Sequence, residues 1–487
     1  MPPSGPAAGR YRLAAIGLVG VALVLRLVKL DSGLWYDEIE TLVGHARLPI
    51  VDILTTYSSQ NQHPFYGLLA RLSMAVVGDG AFGVRLPAAL LGAASIWAMF
   101  RLGELVAGAR EGLLAALLLT VSYHHVWFSQ NARGYSGLLF FALVATAALY
   151  QLLTASSPGR RAIWVYGIAM ALAAYTHLTA VFISIAHTIV VLGFCLRHGA
   201  RPGSRGRQAI GALALSAGLG LVGYLPLLGQ LAGTLVGPNP YAADTAWENP
   251  LWLVVETARG LASGLPGGWA TLALGVVVAT TGLVSFAKKD LTLAGLFVLP
   301  GLLTAIAVII LGHNLWPRFF FFSMGFAVAI AIRGTFAIAS RTAGRTGEAA
   351  AVGLMVVAAL GSALTVPRGW NPKQDFEGAA RFVDQTGSPN DGIATVDLTR
   401  YPYRFYLGRP WPGLDGPADL DRLEAGHDRV WVLTTFPVRL ATVQPEIWDR
   451  LRHGYDTAAV FPGTVGGGAV VVMKSRASKK NQQGRSP

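Results

Sequence analysis

Apolar runs of near-membrane length recur along the first three quarters of the chain, separated by short polar connections. A helix needs roughly 20 mostly apolar residues to cross a bilayer. The runs at 13–30, 83–106, 112–129, 134–153, 162–177, 178–196, 209–230, 268–287, 291–312, 318–339 and 348–366 therefore predict about 11 transmembrane helices. Only the turn Tyr175-Thr176-His177 separates the fifth from the sixth. The apolar stretch 64–78 is short and is interrupted by Arg71. Were it to cross, every later connection would change sides. Residues 50–78 therefore read as helices lying in or re-entering the interface, and 252–265 fits a second such helix.

The pattern changes after residue 368. Residues 375–385 have helical spacing, and 392–398, 429–436, 457–461 and 469–473 read as buried strands, with a helix over 438–452. This predicts a small α/β domain over 369–475, following a membrane domain over 1–368 whose first outer loop is 31–82. Residues 476–487 are basic and polar and read as a disordered tail. No internal repeat is evident.

Composition agrees with a polytopic membrane protein. Of 487 residues, 53% are hydrophobic and 13% charged, about half the roughly 25% charged content of soluble domains. Mean hydropathy is +0.48. A net charge of +13 would suggest nucleic acid in a soluble protein, but there is no compact basic face with interleaved aromatics, so nucleic-acid binding is set aside. The basic residues gather instead in Arg10/Arg12, Arg101/Arg110, Arg160/Arg161, Arg197 to Arg207, Lys288/Lys289 and Arg341/Arg345. With the spans above, all fall on one side, the cytoplasmic one by the positive-inside rule. The lone Cys195 permits neither an intrachain disulfide nor a cysteine metal cluster. No small-residue cleavage site follows the first run, which reads as a retained anchor.

The same threading places the chemically capable residues on the opposite, extracytoplasmic face. Carboxylates at a membrane surface are costly to desolvate, so Asp37-Glu38 after the first span is a functional-site candidate. Asp37 suits a general base that deprotonates an acceptor hydroxyl. Glu38 adjoins it, and adjacent residues point in different directions, which argues against two carboxylates cooperating across a sugar. The pair equally fits a helix start, with Asp37 as cap. Arg133, beside Gln130, Asn131 and Tyr135, fits bidentate phosphate binding or snorkelling to headgroups, and Arg318 has the same two readings. Arg85 opens the second span as a binding or a structural residue. His63, held extended by Pro64, and His177 are interfacial histidines that could bind phosphate, or complete a divalent-cation site with an acidic residue.

These pieces, in this order, resemble the GT-C glycosyltransferases, in the branch of protein O-mannosyltransferases and lipid A aminoarabinose transferases. The matching residues are Trp35-Tyr36-Asp37-Glu38, His63-Pro64-Phe65-Tyr66-Gly67-Leu68-Leu69, Val84-Arg85-Leu86-Pro87 with the following Ala-Ala-Leu-Leu-Gly, Trp127 to Tyr135, Tyr175-Thr176-His177 and Pro317-Arg318-Phe319. The likeness covers about residues 10–340. It implies a polyprenyl-phosphate-linked sugar donor, an extracytoplasmic lipid, polysaccharide or protein acceptor, and a bacterial inner-membrane location. It implies Asp37 as the base, with Glu38, His63, Tyr66, Arg85, Gln130, Arg133, Tyr135, His177 and Arg318 binding donor or acceptor. Related enzymes need no nucleotide at the active site, and many need no metal. Two departures stand out. Phe65 follows His63-Pro64 where a second proline is common, and Asn131 stands where many relatives carry Glu.

Two other classes are set against this reading. A lipid or polyanion transporter would place polar groups near the bilayer midplane, often with inverted repeats, whereas here they cluster at one face. A non-catalytic scaffold would use the C-terminal domain to bind a partner.

Overall fold

The computed structural model describes residues 6–59, 61–156, 159–236, 250–310, 316–342 and 344–476. The expected tail beyond Arg476 lies outside them. The described residues form two compact units. One comprises residues up to Leu30, Pro49 to Val236 and Pro250 to Trp370; the other comprises Asp31–Leu48 and the residues from Asn371 onward. The loop read from sequence as 31–82 is thus divided at Leu48.

In chain order the helices up to residue 370 are α1 (Pro6–Leu27), α2 (Tyr36–Thr41), α3 (Ile50–Thr55), α4 (Pro64–Val77), α5 (Ala81–Val106), α6 (Ala109–Thr120), α7 (Tyr123–Ser129), α8 (Tyr135–Thr154), α9 (Arg160–Thr176), α10 (Ala180–His198), α11 (Arg205–Tyr224), α12 (Leu228–Val236), α13 (Pro250–Gly264), α14 (Trp269–Lys289), α15 (Leu291–Ile310), α16 (Met324–Thr342), α17 (Gly347–Ala363) and α18 (Val366–Gly369). All but α2 belong to the membrane unit. Among the described residues, eight helical runs are long and apolar enough to cross a membrane, or nine if α6 and α7 form one bent span. Two of the about 11 expected runs lie outside this count by length and composition. Helix α9 has only 17 residues, and α1 carries Arg10, Arg12 and Arg26 along its length. Helix α4, at 14 residues, would rise about 21 Å and is too short to cross.

Small residues let these helices approach closely. A Cβ on Gly282 in α14 would overlap the carbonyl oxygen of Ile330 in α16, and one on Gly334 would overlap that of Val278. Such backbone contact is how helices pack where lipid tails remove the usual hydrophobic drive.

The third expected span is not continuous: α6 and α7 meet at 64°. A break at membrane depth is tolerated only if its backbone groups find partners. Here the fully buried Arg26 of α1 donates to the carbonyls of Leu119 and Thr120, both at 3.3 Å. Ser362 of α17 donates to that of Val121 at 2.9 Å. Ser122 caps α7 by accepting from the His125 backbone N–H at 3.4 Å.

The second unit holds a five-stranded sheet in the order β2-β1-β3-β5-β4, with β1 (Gly392–Val396), β2 (Gly413–Leu414), β3 (Val430–Thr434), β4 (Tyr455–Phe461) and β5 (Val470–Ser475). Strand β1 runs parallel to β2 and β3, and β5 runs antiparallel to β3 and β4. Helix α19 (Phe376–Thr386) starts where Asp375 accepts from the Gly378 N–H at 2.7 Å, and buries Phe376, Ala379, Ala380 and Val383. Two sequence readings change. Strand β4 is an exposed edge rather than a buried strand. The expected helix over 438–452 is broken by Pro445 into α21 (Pro437–Val443) and α22 (Pro445–Gly454), because a proline disfavours helical backbone in the residue before it. Strand β2, two residues long, and α20 (Pro417–Gly426) were not anticipated.

The close α14–α16 crossing yields a test. Gly282→Val or Gly334→Val should force the helices apart, at a cost of at least roughly 1–3 kcal/mol. The expected readout is a clear fall in the melting temperature of detergent-purified protein; Gly275→Val, whose Cβ would meet nothing within 4 Å, should change it little.

Candidate functional site

In the membrane unit, four of the residues singled out from sequence converge where helices begin and end. His63 precedes α4, Arg133 lies in the turn between α7 and α8, Tyr135 opens α8, and His177 joins α9 to α10. The rings of His63 and His177 stack at 4.7 Å, and Tyr135 lies 6.0 Å from His63 and 5.1 Å from His177. Arg133 Nε donates to His63 Nε2 at 3.0 Å, its Nη1 bonds the side-chain oxygen of Asn61, and the guanidinium sits 5.6 Å from the Tyr135 ring centre. His63, Arg133, Tyr135 and His177 are all buried.

Local sequence explains the approach. A Cβ on Gly134 would overlap the carbonyl oxygen of Thr176, so only glycine lets the Arg133 turn lie against the end of α9. Phe128 of α7 stacks on Phe321 at 4.1 Å. Phe321 belongs to the 3-10 turn Pro317–Ser323 that also carries Arg318. Helix α7 therefore touches the elements bearing both arginines. Arg318 lies over the Trp316 ring, 4.9 Å from its centre.

The protonation of the two histidines follows from their partners. His63 Nε2 accepts from Arg133, so its proton belongs on Nδ1. His177 Nδ1 accepts from the Thr179 backbone N–H at 3.3 Å and meets the Thr179 hydroxyl at 2.9 Å, which leaves the proton on Nε2. Burial, reinforced by the positive charges of Arg133 and Arg318, pushes the His177 imidazole down to about 3. His177 is thus a neutral donor between two guanidinium groups. Three helix N-termini open here as well, with His63, Gly134 and Thr179 at the cap positions of α4, α8 and α10. The first N–H groups of α10 already bond to the carbonyls of His177, Leu178 and Thr179, so it is the helix dipoles that favour an anion here.

The other sequence-selected residues of this unit are engaged by backbone. Tyr66 donates to Val84 O at 2.7 Å, tying α4 to α5. Arg85 donates to Leu30 O at 3.1 Å. Gln130 donates to the carbonyls of Arg26 and Val28 at 3.0 and 2.6 Å, which anchors the Arg133 turn to the end of α1.

Asp37 and Glu38 lie in the second unit, on α2. The cap of α2 is Trp35, not Asp37. Glu38 meets the Trp35 backbone N–H at 3.4 Å through its carboxylate, while Asp37 occupies the first turn. Both are buried, Glu38 completely. Among the described residues, no three His, Cys, Asp or Glu side chains group as a cation site.

Asn61, Thr179 and Gln374 (the last bound to α2) escaped the sequence reading. Asn61 and Thr179 stand two residues from a selected histidine, the one signal that could have drawn attention to them. Gln374 carries no comparable signal.

Residues 61–217 match a family model described as dolichyl-phosphate-mannose-protein mannosyltransferase. That stretch holds His63, Arg133 and His177 but neither Asp37 nor Arg318. No curated protein matches the sequence. The fold is similar to that of ArnT from Cupriavidus metallidurans bound to undecaprenyl phosphate, with TM-score 0.53 and 13% identity over 95% of this chain and 98% of that one. It is also similar to the Archaeoglobus fulgidus oligosaccharyltransferase complex with Zn and sulfate, with TM-score 0.51 and 11% identity over 94% and 72%. These two likenesses are of fold. Together with the family match they bear out the resemblance to the GT-C glycosyltransferases.

The depressed His177 gives a pH prediction. Its folded value lies near 3 and its unfolded value near 6.5, so between these the unfolded chain binds the extra proton. Stability contributed by His177 is complete above about pH 6.5 and declines as pH falls, by roughly 1.4 kcal/mol per unit. Thermal melts in detergent from pH 7 to 4 should show a shallower acid loss in His177→Gln than in wild type. A parallel slope in the two proteins would contradict the buried neutral assignment.

Proposed function

We propose that this chain is a GT-C-type glycosyltransferase that moves a sugar from a polyprenyl-phosphate carrier to an acceptor hydroxyl with inversion at the anomeric carbon. The observation that carries the reading is the convergence of Arg133, Arg318 and three helix N-termini around neutral His177. This is an anion-binding arrangement at one end of a helical membrane unit, suited to a lipid phosphate. The family match supports a lipid-phosphate-linked sugar as donor. The fold shared with a protein bound to undecaprenyl phosphate supports a polyprenyl carrier.

In this reading Arg133 and Arg318 hold the departing phosphate and offset the charge that develops on it. His177 Nε2–H supplies a neutral donor for phosphate or sugar oxygens, and His63 orients the Arg133 guanidinium that donates to it. Asp37 takes the proton of the acceptor hydroxyl as its oxygen attacks the anomeric carbon. The bond from that carbon to the phosphate oxygen breaks, and the polyprenyl phosphate leaves as an anion. Glu38 holds the helix that bears Asp37, and Tyr135 packs the two histidines. Tyr66, Arg85 and Gln130 contribute by holding helix ends.

Orientation follows from charge. Arg205 donates to Leu153 O at the end of α8, and Lys289 donates to Val106 O at the end of α5. Arg110 pairs with Glu348 at the starts of α6 and α17. The start of α8 bears the anion cluster, so the basic contact at its other end lies on the opposite side. With the basic ends cytoplasmic, this reading puts the site on the extracytoplasmic side; the resemblance supports a bacterial plasma membrane.

The test is transfer of labelled sugar from a panel of polyprenyl-phosphate sugars by purified protein in nanodiscs, with envelope extract as acceptor. Asp37→Asn should lower transfer about 10²–10⁴-fold at normal expression. Arg133→Ala and Arg318→Ala should raise donor KM and lower kcat together. Folded wild-type protein that transfers no sugar from any donor would overturn the reading; full activity in Asp37→Asn would remove Asp37 from it.

A further inference from the structure

The sequence left the C-terminal domain without a role beyond holding a partner. The second unit contains a contact that gives it one. Helix α2, which carries Asp37 and Glu38, is six residues long and runs directly into a single π turn, Leu42–Ala46, eleven helical residues in all. So short a helix has no stability of its own, and its first N–H groups have no partner within it. Its orientation depends on what binds its ends.

The Tyr36 N–H, in the first turn, donates to Gln374 Oε1 at 3.1 Å. On its other side the same amide donates from Nε2 to Thr435 Oγ1 at 3.0 Å and to Gly468 O at 3.1 Å. Thr435 follows β3, Gly468 precedes β5, and these two strands are antiparallel neighbours in the middle of the sheet. Gln374 and Thr435 are both about 1% exposed. The backbone before Gln374 is fixed as well: Thr464 N–H donates to Pro372 O at 3.0 Å and Val465 N–H to Lys373 O at 3.2 Å. A Cβ on Gly463 would overlap the Lys373 carbonyl. Beside the amide, the Tyr36 ring packs on Tyr401 at 6.1 Å.

Only a side-chain amide of this length accepts on one side while donating twice on the other. A glutamate would place acceptor against acceptor at Gly468, and a hydrocarbon would do neither. We propose that Gln374 is a positioning residue that fixes the Asp37–Glu38 helix to the β3–β5 end of the C-terminal sheet, which makes this domain a working part of the transferase rather than an accessory. The catalytic part of this inference rests on Asp37 acting as the base. A base displaced by about 1 Å can lose 10²-fold in rate, so the anchor acts on turnover and not on donor affinity, which the arginines of the membrane unit supply.

The test uses the full chain in nanodiscs with Gln374→Met, Thr435→Val and, as control, Gln444→Met. Gln444 donates to Leu414 O at 3.2 Å in the same domain. Hydrogen exchange of residues 34–42 is followed by mass spectrometry beside kcat, donor KM and melting temperature. Gln374→Met should raise exchange in 34–42 about tenfold and lower kcat about ten- to hundredfold, with donor KM within about twofold. Thr435→Val should move both in the same direction by less, and Gln444→Met should move neither. Unchanged exchange of 34–42 in folded Gln374→Met overturns the anchor whatever the role of Asp37. Raised exchange with wild-type kcat, while Asp37→Asn is inactive, overturns the positioning role. Full activity in Asp37→Asn ends the base reading instead, and the exchange result then judges the anchor alone.

Discussion

The membrane unit depends on one buried cation. Arg26 has no exposure, and its guanidinium spans the end of α6, the Ser129 hydroxyl and His125. Lipid offers no water to a broken helix, so the α6–α7 break exists because a charged donor reaches its carbonyls. The C-terminal end of a helix is also where a cation is electrostatically favoured. His125 passes the network on to Ser95 at 2.9 Å, and the break turns α7 so that Gln130 and Arg133 follow directly.

From that turn outward, the unit separates charge by helix end. The cluster holds a neutral His177, because a protonated one would add a third positive charge beside Arg133 and Arg318 in a buried setting. Burial and the two guanidinium charges keep it neutral. In the proposed phosphate site, fixed guanidinium groups would supply the charge, and a neutral donor would supply direction without further repulsion.

The second unit solves a different problem. The proposed base sits on a short helix, and the anchor proposed for that helix is the β3–β5 end of the sheet. Strand β3 is buried along its whole length, and Gln374 links it to the backbone of Tyr36. Two residues far apart in the chain thereby share one rigid frame.

Much was legible from sequence, for physical reasons that act locally. Membrane spans are set by apolar length, so α5, α8, α10, α14, α15 and α16 fell close to their expected ranges. Arg133, His63, Tyr135 and His177 could be selected because polar residues at helix ends beside lipid are costly and therefore informative. Partners chosen across the fold were not legible. That Arg26 would bind the end of α6, that Gln130 would grip α1 and that Gln374 would reach Tyr36 depend on side chains up to 338 positions apart in the chain. Sequence by itself determined where apolar length permits a span and which polar residues stand at its ends, since both follow from the cost of placing each residue near lipid. Only the tertiary structure decided which span breaks, which arginines share a histidine and what holds the acidic helix, because each of these is set by donors and acceptors that meet only after the chain has packed.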